Sequence, residues 1–172
     1  MKHEDLIEEI RSAVRIVFST MLASEIEDVE SCSGPQADEA VTEGVVAVVG
    51  IVGEYAGTGS ISCSGLLARR LSSLMLMAEY ESVNDDVLDA MGEVANMIIG
   101  NVKTNLEERF GPMGISTPAI IYGRNFCTHG VNCQNRMKVS FRCHGELFTV
   151  QMSLVRTKPD GTGSRECGPR HA

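Results

Sequence analysis

The stretch RMKVSFRCHGELFTVQMSLV, residues 136–155, admits one register. A two-residue turn at His144–Gly145 sets Cys143 opposite Glu146, Phe141 opposite Phe148, Val139 opposite Val150 and Met137 opposite Met152. The apolar members then share one face, as a half-buried antiparallel hairpin requires. A slip of one residue would turn all of them to solvent. The segment therefore commits the chain to a sheet with one covered face, and the rest of the sequence must supply the cover.

Two strong helical patterns can do so. From Glu4 to Ala23, Leu6, Ile10, Ala13/Val14, Val17 and Met21 recur at helical spacing between charges. From Asn84 or Asp85 to about Phe110 runs a longer helix, with Asn84 as N-cap and Asp85 and Asp86 in the first turn, where the helix dipole favours negative charge. GPMG at 111–114 ends it. Between the two lie VTEGVVAVVGIV, read as a buried strand, GEYAGTG, read as a turn, and SISCS, read as a second strand. Ser64 then caps a helix through GLLARRLSSLMLM, and AEYESVN connects it to the long helix. SCSGPQADE reads as a turn region, ISTPAIIYG as one strand, and residues 125–134 as a polar loop. Strands that pair with sequence neighbours give a mostly antiparallel sheet. The expected fold is α+β, a two-layer domain with long helices on one face. It occupies residues 1–158, and PDGTGSRECGPRHA leaves 159–172 as a flexible C-terminal tail.

Charge and composition narrow the function. The 172 residues carry a net charge of −8 and no basic run, which argues against a nucleic-acid partner. No apolar run approaches the roughly 20 residues of a membrane span. The charged start MKHEDLIEEI has no signal-peptide core, so a cytoplasmic protein is expected. Its six cysteines should then stay reduced. Cys127, His129, Cys133, Cys143 and His144 form a cluster, but C-x-H-x3-C matches no common zinc pattern, and no metal site is expected.

The chemistry concentrates in DAMGEVANMIIGN, residues 89–101. On a helical wheel Leu88, Met91, Ala95, Ile98, Ile99, Val102 and Leu106 form the core face. Asp89, Glu93, Asn96, Gly100, Lys103 and Glu107 fall together on the far side. Glu93 and Asn96 are three apart and therefore neighbours. An exposed helical glycine costs up to about 1 kcal/mol relative to alanine. Gly92 and Gly100 flank the pair, and a bare patch beside a carboxylate and a carboxamide suits the close approach of another protein. An amide has no useful pKa, so Asn96 can position a water molecule but not act as a base. With no nucleophile, phosphate-binding glycine loop or metal ligands nearby, the site must be completed by its partner.

GEVANMIIGN resembles the signature of the CheC/CheX/FliY chemotaxis phosphatases, CheX type: Glu-x-x-Asn on a long exposed helix, then a glycine and a further asparagine. The context carries the resemblance: LDAMGEVANMIIGNVKTNL, the preceding VVGIVGEYAGTGSISCS, the following TPAIIYG and the closing hairpin, from about Val41 to Val155. A second Glu-x-x-Asn, ESVN, straddles a connector and a helix cap. The resemblance implies a CheX-like fold and hydrolysis of the phosphoaspartate on a CheY-like response regulator. It implies that Glu93 contacts the receiver's lysine and that Asn96 orients the attacking water. Asp89, Gly92, Gly100 and Lys103 would then border the docking face. Magnesium is expected on the receiver, with no cofactor bound by this chain. The first helix has no Glu-x-x-Asn, so one active face per chain is expected, together with a CheX-type homodimer. The competing readings are a non-catalytic receiver-binding module of two-component signalling, which the intact Glu93 and Asn96 argue against, and a zinc-dependent regulatory domain built on the cysteine–histidine cluster.

Overall fold

The computed structural model describes residues 3–33, 42–126 and 136–157. Three helices, α1 (His3–Thr20), α2 (Gly65–Leu76) and α3 (Asp85–Phe110), accompany seven strands: β1 (Glu27–Ser33), β2 (Thr42–Gly53), β3 (Tyr55–Cys63), β4 (Met113–Ile115), β5 (Ala119–Phe126), β6 (Arg136–Cys143) and β7 (Glu146–Arg156). The strands form one antiparallel sheet in the order β1-β6-β7-β3-β2-β4, with β5 also on β2. The fold is α+β with helices laid over the sheet.

The β6–β7 hairpin has the register its sequence demands. Cys143 faces Glu146, Phe141 faces Phe148, Val139 faces Val150 and Met137 faces Met152. His144 and Gly145 both take positive φ, 50° and 81°, the backbone of a two-residue turn whose twist matches its strands. Phe141 stacks on Phe148, which stacks in turn on Phe18 of α1, at centroid distances of 5.1 and 4.8 Å. One helix is thereby fixed over the hairpin by its largest buried side chains.

The caps fall where the sequence places them. Ser64 Oγ accepts the Leu67 N–H, and Asn84 Oδ1 accepts the Val87 N–H. Gly111 closes α3 at φ 87°, donating its N–H to the Glu107 carbonyl. The first helix stops at Thr20, short of Ala23. The Ser19 and Thr20 hydroxyls both bond the Ile16 carbonyl, Ala23 turns to positive φ, and Met21 is left exposed rather than in the core.

Three expectations about strands are corrected. GEYAGTG is strand from Tyr55 onward, its Gly53 ends β2, and only Glu54 lies between the two strands. Its glycines serve close approach. A Cβ on Gly57 would sit 1.8 Å from the Ser153 carbonyl oxygen, and one on Gly59 2.4 Å from Ile99 Cδ1. Gly59 is thus what lets α3 settle onto β3. ISTPAIIYG is two strands, β4 and β5, because Pro118 has no N–H for a ladder. Finally, β1 replaces part of an expected turn region. It is an edge strand exposed on both faces except for a half-buried Cys32, so it has no alternation to read. The remainder of that turn region, most of the expected polar loop, and the 159–172 tail lie outside the described residues. No described helix is long and apolar enough to cross a membrane.

Candidate functional site

The long helix buries Val87, Ala90, Met91, Val94, Ala95, Ile98, Ile99, Val102 and Leu106. Leu88, placed on the core face by the wheel, is half-buried and packs at the edge of the core. On the outer stripe Asp89 and Glu93 are exposed, while Asn96, Gly100, Lys103 and Glu107 are half-buried. The structure brings Glu93 and Asn96 together on one surface of one helix, as expected.

What separates the pair from its surroundings is its hydrogen bonding. Of the asparagines at α3, Asn84 caps the helix, Asn101 Nδ2 donates to the Met97 carbonyl at 2.9 Å, and Asn105 Nδ2 donates to Glu9 at 2.8 Å. Asn96 has no hydrogen-bond partner among the described residues, and neither does the Glu93 carboxylate. A half-buried carboxamide is satisfied either within its own fold or by water. Asn96 keeps both its donors and its acceptor available for something else.

The rest of the stripe is committed locally. Lys103 Nζ lies 2.7 Å from Glu107 Oε2, and Glu107 Oε1 accepts the Met113 N–H at 2.8 Å. Glu107 therefore ties the last turn of α3 to the start of β4. The Lys103 ammonium, and after it the Met113 amide, hold the Glu107 carboxyl below the usual glutamate range. A carboxylate with a depressed folded pKa contributes stability above its unfolded pKa and loses it as pH falls through the folded value. Glu107→Gln should therefore lower stability near neutrality by well under the total and flatten the acid limb of a denaturation series below about pH 4.3.

The two glycines part company. Gly100 is half-buried, and a Cβ there would meet only Ile115 Cδ1, at 3.7 Å. Gly92, expected to be part of a bare exposed patch, is buried. A Cβ there would press on Ile120 Cδ1 at 3.3 Å and Pro118 Cβ at 3.6 Å. Its missing side chain makes room for the β4–β5 connection, so its place in the helix is a packing matter. That connection, Ser116–Pro118, lies inside ISTPAIIYG, expected as one strand, although Thr-Pro is a breaker signal within an apolar run.

Two grooves lie away from the pair. Grooves of about 340 and 710 Å³ run along α2, lined by Leu66 and Arg69 in both cases, with Tyr80 and His144 in the first and Tyr122 and Arg124 in the second. Neither touches Glu93 or Asn96. The pair stands on the outer surface of a helix, away from both grooves, which suits contact with a partner rather than enclosure of a small molecule.

Among the described residues no three His, Cys, Asp or Glu side chains converge as metal ligands do. Cys127, His129 and Cys133 lie outside the described residues. Cys143 is buried in the core and burial raises its thiol; Cys63, also in the core, is pushed up to about 12 by burial. Neither of these two buried thiols is a ready ligand or nucleophile.

Comparison with known proteins places this helix in context. A protein named CheY-P phosphatase CheX from Thermotoga maritima is 30% identical over 86 residues, 49% of this chain and 56% of that protein, so the match spans little more than half of the relative. The crystal structure of a chemotaxis protein CheX from Desulfovibrio desulfuricans is similar with a TM-score of 0.78 and 26% identity, over 88% of this chain and 99% of that one. The CheX–CheY–BeF3–Mg2+ complex of Borrelia burgdorferi is similar with a TM-score of 0.72 and 27% identity, over 86% and 96% of the two chains. The family described as chemotaxis phosphatase CheX matches residues 45–142, a stretch that holds most of β2, all of β3, α2 and α3, and the Glu93–Asn96 pair. With more than half its length matched, fold and motif included, this chain belongs to the CheX family.

Proposed function

We propose that this chain dephosphorylates a CheY-like response regulator. The observation that carries the reading is the Glu93–Asn96 pair, one turn apart on the outer stripe of α3, with neither side chain bonded to another described residue. The Borrelia burgdorferi relative, solved with CheY, BeF3 and Mg2+, supports the class of partner, since beryllium trifluoride stands in for a phosphoryl group on a carboxylate.

The chemistry asks little covalent help from the protein. A water oxygen bonds to phosphorus as the bond from phosphorus to the aspartyl oxygen breaks, releasing phosphate and the free carboxylate. Positioning and electrostatics carry such a transfer. Asn96 reaches into the receiver's site, where its carboxamide oxygen accepts a hydrogen of the water and fixes its line of attack. Glu93 pairs with the receiver's lysine and sets the register of the two proteins. Asp89 and Gly100 border the contact. Lys103, neutralised by Glu107, contributes shape more than charge. Magnesium belongs to the receiver, and the reaction takes place in the cytoplasm, where such receivers are found. A homodimer with one active face per chain is part of this reading, and sedimentation at micromolar concentrations checks it. The direct test is the time course of phosphate loss from candidate phosphorylated receivers, with and without the protein. Unchanged decay across the receivers, with no binding to their BeF3 forms, would sink the assignment.

A further inference from the structure

We infer that the Ser116–Pro118 connection is a second receiver-contact element, with Thr117 the residue that meets the receiver beside Asn96. The inference rests on the phosphatase reading above.

The connection is a built feature, not slack chain. Ile51 pairs with Ile115 on β4, and Val48 pairs with Ala119 on β5. One side therefore takes four steps where β2 takes three, which leaves one extra residue, as in a β-bulge. Ser116 pins it. Its N–H donates to the Gly50 carbonyl, its Oγ accepts the Gly50 N–H and donates to the Thr117 carbonyl, each at 2.9 Å. Bulges of this kind re-aim side chains beside functional sites.

Its position follows from the glycines of α3. Gly92, Asn96 and Gly100 are spaced by four, so they line one side of the helix. At one end of that line Gly92 abuts Pro118 and Ile120, and at the other Gly100 abuts Ile115. Asn96, halfway between, lies level with Ser116 and Thr117. This accounts for its being half-buried while Glu93, on the other side of it, is exposed. Thr117 is exposed, and its hydroxyl has no partner among the described residues.

For Asn96 to reach a phosphoaspartate, the loop carrying that aspartate must come down between Glu93 and this connection. The wall it meets is small and uncharged. A carboxylate there would repel the phosphoryl group, and a large side chain would hold the loop away from Asn96. Thr117 offers a short hydroxyl that can donate to the loop. As a surface contact, it should govern how the receiver docks more than how water attacks.

The test is kinetics of phosphate release against receiver concentration for Thr117→Trp, Thr117→Asp and Thr117→Ser, with Leu147→Trp on the exposed far hairpin as a control for bulk. Thr117→Trp and Thr117→Asp should each raise KM by about 10-fold or more with kcat changed less than about threefold, a loss of one contact's worth of binding. Thr117→Ser and Leu147→Trp should stay near wild type. Thermal melts accompany each variant, and if tryptophan unfolds the chain, aspartate carries the same comparison. Wild-type KM in a folded Thr117→Trp or Thr117→Asp overturns the inference while leaving the phosphatase reading intact. An inactive wild type that fails to bind any receiver overturns both.

Discussion

Asn96→Ala lowers the rate of phosphate loss from the receiver on the order of 10²-fold or more, while the receiver still binds. The separation of the two effects follows from where the carboxamide acts. It touches the water, whose alignment matters in the transition state and hardly at all in the docked ground state. Because Asn96 makes no hydrogen bond among the described residues, its loss leaves no described partner stranded, and stability should change by only a few tenths of a kcal/mol, with alanine the better helix former. A fall in kcat without a fall in melting temperature is therefore the expected signature. Asn96→Asp is a useful companion, since it keeps the size but brings a negative charge to the phosphoryl group. If the alanine variant turns over at the wild-type rate, the chain docks receivers without hydrolysing them, and the binding-module reading takes its place.

Glu93→Ala should behave differently. Glu93 is exposed and carries no partner of its own among the described residues. Its proposed contact, the receiver's lysine, is present in the docked state as well as in the transition state. Binding and turnover should both weaken, and the deficit should shrink as salt screens the wild-type pair.

How far the sequence foretold this molecule depended on whether a residue's reason was local. The β6–β7 register was readable because a two-residue turn and four apolar pairs agree, and no distant contact can change that. The caps at Ser64, Asn84 and Gly111 were readable because a cap satisfies groups within a few residues. The outer stripe of α3 was readable from its period. What was not readable came from contacts made across the fold. Gly57 and Gly59 looked like turn residues, and their actual reason, the close approach of Ser153 and Ile99, is invisible without the third dimension. β1 carries no alternation because neither of its faces is covered. Gly92 and Gly100 both flank the Glu93–Asn96 pair in sequence, yet one is buried under Pro118 and Ile120 and the other is not. The Ser116–Pro118 connection was hidden for the same reason: the bulge opposite Gly50 and the contact of Pro118 with Gly92 are both made across the fold.

That difference between the two glycines yields the other large effect. Gly100→Leu should abolish productive docking, weakening receiver binding by about 10²-fold, roughly 3 kcal/mol, without harming the fold. A Cβ at this position meets only Ile115, at ordinary contact distance. The rest of a leucine side chain leans toward the helix N-terminus and over the residue four positions back, which here is Asn96. It would cover the carboxamide that must enter the receiver. Meanwhile the helix loses a glycine, so stability should rise by up to about 1 kcal/mol. Gly92→Leu should do the reverse. Its Cβ is already tight against Ile120, and the remaining atoms have to displace the Pro118 connection, an overpacking that costs about 1–3 kcal/mol. Melting curves and binding to the BeF3 form of the receiver, measured side by side, separate the two. Gly100→Leu should melt at or above the wild-type temperature and fail to bind. Gly92→Leu should melt lower, and any binding loss should follow the loss of folded protein. A Gly100→Leu variant that binds and turns over normally would mean that the receiver does not approach along this stripe, and that Glu93 and Asn96 do not enter its active site from this face.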